Sequence, residues 1–122
     1  MRRNLVSAIA AVAAVSAAAL FHLPDMLGAH PWWGTRTGLI GAGIGAALFL
    51  ALRAGHVAAR TMVLSGGIGL LLAGFPAFEG KRLFAASFGD DAIAGRLWYL
   101  GWIGIAAMLV ISLATVFMSS QR

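Results

Sequence analysis

LWYLGWIGIAAMLVISLATVFM, residues 97–118, contains no Asp, Glu, Lys, Arg or His. As a helix rising 1.5 Å per residue this run is roughly 33 Å long, slightly more than the ~30 Å hydrocarbon core of a bilayer. It therefore reads as a transmembrane helix, and three further windows read the same way: Asn4–Leu23, Trp33–Leu52 and Thr61–Phe78. None of the three holds Asp, Glu or Lys, and their single Arg, Arg36, stands close enough to an end to snorkel. The whole chain agrees. It is 122 residues long, 61% hydrophobic and 11% charged, with a mean hydropathy of +0.89, whereas a soluble domain carries about 25% charged residues to cover its surface. The expectation is one all-α domain over residues 1–122, a polytopic four-transmembrane-helix bundle with no room for a soluble catalytic domain.

Charge placement sets the expected topology. The formal charge of +5 comes from basic residues scattered singly or in pairs at the ends of apolar segments, a pattern of membrane orientation rather than of nucleic-acid binding. With the amino terminus cytoplasmic, the inner side carries Arg2, Arg3, Arg53, Arg60 and Arg122, and the outer side Arg36, Lys81, Arg82 and Arg96. Asp25, Glu79, Asp90 and Asp91 then lie outside, beside Trp32, Trp33, Trp98, Tyr99 and Trp102, which are expected to form an interfacial aromatic belt. Both termini face the cytoplasm, and the Ala-, Gly- and Arg-rich composition suggests a bacterial inner membrane. The start Met1-Arg2-Arg3-Asn4, with small residues at Ser16–Ala19, also fits a signal peptide. The apolar run continues through Leu20 and Phe21, beyond an ordinary signal core, which favours a retained span.

The connections carry their own signals. Arg53 to Arg60 predicts a compact turn making a helical hairpin of the second and third spans. In the third connection, Phe84 and Phe88 stand one helical turn apart after Lys81 and Arg82 and before Gly89, the outline of a short interfacial helix. Asp90 and Asp91 are placed to cap the helix that follows. Pro76 deprives the Leu72 carbonyl of a donor and predicts a kink in the third span.

Small residues recur at helical spacing: Gly34, Gly38, Gly41 and Gly45 in the second span, Ser65 and Gly69 in the third, Gly101 and Gly104 in the fourth. Lipid tails are as apolar as leucine, so membrane helices associate through close backbone approach, which small residues permit. These stripes serve either internal packing or contact with another subunit. Arg36–Leu48 also aligns with Arg60–Leu72 at the Arg-Thr start and the Gly-Ile-Gly centre. Between antiparallel helices this would be an inverted repeat, although Gly- and Leu-rich segments match by coincidence.

Chemistry-bearing residues are few. There are no cysteines, hence no disulfide, thiolate metal site or cysteine nucleophile. His22, Asp25 and His30 are the available metal ligands; His22 and Asp25 could share an ion only on a helix, and Pro24 between them argues against one. His22, His30 and His56 all sit at span ends or in loops, not where an axial haem ligand would project, no hydrolase, metalloprotease or P-loop motif is present, and no ionisable group sits at membrane depth for proton-coupled transport. In length and span count the chain resembles the small multidrug transporters, but their embedded glutamate has no counterpart in a first span of Ala, Val, Ser and Leu, so no residue is carried over. The resulting expectation is a non-catalytic accessory subunit of a larger membrane complex, respiratory or photosynthetic, surrounded by lipid and requiring no cofactor. The alternative is a homo-oligomeric channel or carrier. Bound quinone, pigment or lipid is compatible with the sequence without being indicated by it.

Overall fold

The computed structural model describes residues 2–29 and 33–120, and among these every regular element is helical. The helices are α1 (Arg2–Leu20), α2 (Leu23–Leu27), α3 (Gly34–Ala54), α4 (Ala59–Ala86) and α5 (Ala92–Ser120). Four of them, all but α2, are long and apolar enough to cross a membrane. The architecture is a four-helix bundle of membrane-spanning character.

α5 is its centre. Its apolar residues are distributed around the whole circumference, as suits a helix that packs on neighbours over part of its surface and faces lipid over the rest. α1 and α3 pack on one part of that surface and α4 on another. Antiparallel α1 and α3 are tied at both ends. Thr35 Oγ1 donates to the Ala19 carbonyl at 3.0 Å, and Arg53 Nε to Asn4 Oδ1 at 3.4 Å. The end holding the α3–α4 turn buries Ala8, Ala11, Val15, Phe49, Met62, Val110, Ala114 and Met118 in one cluster. The opposite end, beside α2, buries Ala29, Ala77, Trp98 and Trp102.

Three local expectations change. The Arg53–Arg60 segment is a compact turn, with Arg53 Nη1 donating to the Val57 carbonyl at 2.9 Å, but α3 and α4 do not pack along each other as a hairpin. Each packs on α5 instead. Lys81–Ala86 is helical, yet as the last turns of α4, which runs on past Pro76. Phe88 leaves that helix in the left-handed conformation (φ 56°) and stands 96% exposed, so it shares no face with Phe84. A short extra helix appears where none was expected: α2 forms because Pro24 occupies its first turn, where a missing N–H leaves no helical bond unmade.

The turn into α5 is closed by side chains. Ser87 Oγ donates to the Phe84 carbonyl at 2.9 Å and accepts from Asp91 N–H at 2.9 Å. Asp91 Oδ1 in turn accepts from Ala94 N–H at 3.0 Å, an N-cap bond. Asp91→Ala should therefore lower stability by about 1 kcal/mol, read as a depressed melting point in mild detergent. Asp91→Ser should restore most of the loss, since its hydroxyl can accept the same bond; an unaltered melting point for Asp91→Ala would show that the cap does not contribute.

Candidate functional site

The apolar windows of the four long helices hold no Asp, Glu or Lys, so the surfaces where helices meet are the first candidates. Along the α4–α5 seam a side chain at Gly101 would come within 2.6 Å of the Ala77 backbone, one at Gly104 within 2.9 Å of Ala73 Cβ, and one at Gly80 within 2.6 Å of the Ala94 carbonyl oxygen. Gly69 faces the Met108 thioether and Gly66 the Ser112 side chain. Gly66, Ala73 and Gly80 are seven residues apart. That period keeps one narrow stripe facing a neighbouring helix at a shallow crossing. Helices can approach this closely only where no side chain stands between their backbones.

On α3, a side chain at Gly41 would lie 2.5 Å from Ala106 Cβ, and one at Gly45 2.5 Å from the Ala107 carbonyl oxygen. Gly38 meets the Ala19 methyl of α1, and Gly34 meets the Asp25 carboxylate. Ser65 is exposed, and the residue of that turn buried toward α5 is Gly66. The aligned segments of α3 and α4 sit in related ways: Gly45 and Gly69 face α5, Ile44 and Ile68 are exposed, and Gly43 and Gly67 have open space around them. The correspondence stops at Gly41, which is buried, and its exposed counterpart Ser65.

Trp33, Phe84, Trp98 and Trp102 cluster at the α2 end, but Trp98 and Trp102 are turned inward, 7% and 6% exposed. Trp33 meets the Trp98 ring edge-on at 5.0 Å and the Tyr99 ring at 5.2 Å. Phe84 lies 5.7 Å from Trp98 and Phe78 6.0 Å from Trp102. Trp98 Nε1 donates to the Gly28 carbonyl at 3.0 Å, joining the end of α2 to α5. The indoles are amphipathic, and here their apolar bodies fill the end of the bundle. Trp32 lies outside the described residues.

Because α2 is helical, His22 and Asp25 do meet: Nδ1 is 3.1 Å from Asp25 Oδ2, within reach of an imidazole N–H donating to the carboxylate. Asp25 Oδ1 is buried without a hydrogen-bond partner beside Gly34, the first residue of α3. The positive end of the α3 dipole thus faces a carboxylate. His30 lies outside the described residues, and among the described residues no three metal-ligating side chains converge. Glu79 and Arg82 form an exposed ion pair at 2.6 Å, of the kind that adds little to stability.

A half-open apolar cavity of about 160 Å³ lies beside α2, and a second, shallower groove is bounded by Trp33, Phe84, Trp98 and Tyr99. Ala14, Val15 and Ala18 of α1, Leu23, Pro24 and Leu27 of α2, and Trp102, Ile105 and Leu109 of α5 line the cavity. Sequence reasoning did not foresee this cavity, because its roof is α2. Compared with protein-family models, curated proteins and solved structures, the chain matches none. What fold and site define is a class: a small α-helical membrane protein assembled through small-residue seams.

Proposed function

We propose that this chain is a non-catalytic subunit of a larger bacterial inner-membrane assembly, of respiratory or photosynthetic kind, and that it docks through the free face of α4. The observation that supports this reading is the pair Gly67 and Gly74. Both have open space where a side chain would project, and they lie one heptad apart, flanked by exposed Leu64, Ile68, Leu71 and Phe75. A glycine inside a helix costs roughly 1 kcal/mol relative to alanine. Nothing within the bundle requires these two, whereas a second helix approaching closely would. The four apolar windows hold no Asp, Glu or Lys, which gives no foothold for proton-coupled transport.

Affinity purification in native nanodiscs followed by mass spectrometry tests the proposal. A larger membrane partner in fixed stoichiometry is the expected result, lost on converting both Gly67 and Gly74 to Leu while the isolated bundle still folds. Recovery of only a homo-oligomer that conducts ions in liposomes would replace this reading with the channel alternative.

A further inference from the structure

The groove at the head of α5, about 570 Å³, opens between Trp33 before α3, Phe84 of α4, and Arg96, Tyr99 and Leu100 of α5. Two polar side chains on its wall are unpartnered. Among the described residues, Arg96 is exposed and makes neither an ion pair nor a side-chain hydrogen bond. Tyr99 is half-buried, and its hydroxyl likewise has no partner but stays accessible. We infer that this groove binds the phosphodiester of an anionic bilayer lipid, with the Arg96 guanidinium and the Tyr99 hydroxyl donating to its oxygens.

Depth, spacing and charge select that occupant. Arg96 immediately precedes the charge-free run Leu97–Met118, so in a membrane it stands where hydrocarbon gives way to headgroups. The rings of Trp33 and Tyr99, 5.2 Å apart, belong at that level too. Arg96 and Tyr99 are three residues apart on one helix, about 5–6 Å between Cβ atoms, a separation that two oxygens of one phosphate can bridge. Leu100, one turn below Arg96, is exposed, so an acyl chain leaving that phosphate meets apolar surface. Charge then decides between lipids. Glu79 is taken up by Arg82, Asp25 faces His22, and Asp91 caps α5, which leaves Arg96 an uncompensated cation. A headgroup with an ammonium of its own brings a repelling charge along with its phosphate. A headgroup without one brings the phosphate alone, and basic side chains at a membrane surface attract such lipids.

The test uses the intact protein in nanodiscs of equal parts phosphatidylglycerol and phosphatidylcholine with matched acyl chains. Native mass spectrometry after release should find phosphatidylglycerol retained about fivefold over phosphatidylcholine, the worth of one basic side chain at a membrane surface. Arg96→Gln should remove that preference, and Tyr99→Phe, which keeps the ring, should lower it about twofold. Arg36→Gln, which removes another exposed cation at the same end of the bundle, should leave it intact, and excess inorganic phosphate should not displace the lipid. Circular dichroism melts confirm that each variant is folded. If Arg96→Gln does not fold, the ratio in the unaltered protein and in Tyr99→Phe decides. Equal retention of the two lipids, a preference indifferent to Arg96→Gln or to Tyr99→Phe, an equal loss with Arg36→Gln, or displacement by inorganic phosphate would each overturn the inference.

Discussion

Gly101→Ala should destabilise the bundle by about 1–3 kcal/mol, the cost of an overpacked core, whereas Gly67→Ala should stabilise it by about 0.5–1 kcal/mol. One methyl group is added in each case, and only its surroundings differ. At position 101 the new carbon would sit 2.6 Å from both the N and Cα atoms of Ala77. Those are backbone atoms, so no side-chain rotation relieves the clash and α4 must move away from α5. Such a shift also loosens the adjoining contacts of Ala73 with Gly104 and of Gly80 with the Ala94 carbonyl. At position 67 the methyl meets nothing within 4 Å, leaving only the better helix propensity of alanine. Reversible unfolding in mixed lipid–detergent micelles reads both effects. Equal effects for the two substitutions would mean that α4 does not pack on α5 through this stripe.

The contrast between these glycines shows what a sequence can and cannot display. The spans are legible because hydrocarbon excludes charge: each expected window lies within its helix to within a few residues, and the ends fray as helix ends do. Gly34, Gly38, Gly41 and Gly45 stand out through their short spacing, and each meets a neighbouring element. Gly80 was hidden by its surroundings. It lies between Glu79 and Lys81, outside any apolar window, and only the seven-residue rhythm from Gly66 through Ala73 reveals it. Ser65 and Gly66 are equally small neighbours, and which of them faces α5 depends on helix phase, which a Gly-rich segment barely constrains. That α3 and α4 would both lean on α5 rather than on each other was not legible either, because a short turn fixes the order of helices but not their pairing. α2 was obscured by Pro24, a residue that breaks helices inside but starts them well.

Trp98→Ala should cost about 3–5 kcal/mol, the usual penalty for deleting a buried indole. Trp98 is 7% exposed and connects three segments at once: it contacts Trp33 at the start of α3 and Phe84 near the end of α4, and it holds the Gly28 carbonyl after α2. Trp98→Phe separates packing from hydrogen bonding, because it retains most of the ring while removing the donor. Its expected cost is about 1 kcal/mol, and that loss should be local. Amide hydrogen exchange in Leu23–Leu27 should quicken by about fivefold, while the centre of α5 keeps wild-type protection. Unchanged exchange in α2 would mean that α2 is held by its other contacts, the seat of Asp25 against Gly34 among them. Uniformly faster exchange would mean that the aromatic cluster stabilises the bundle as one cooperative unit.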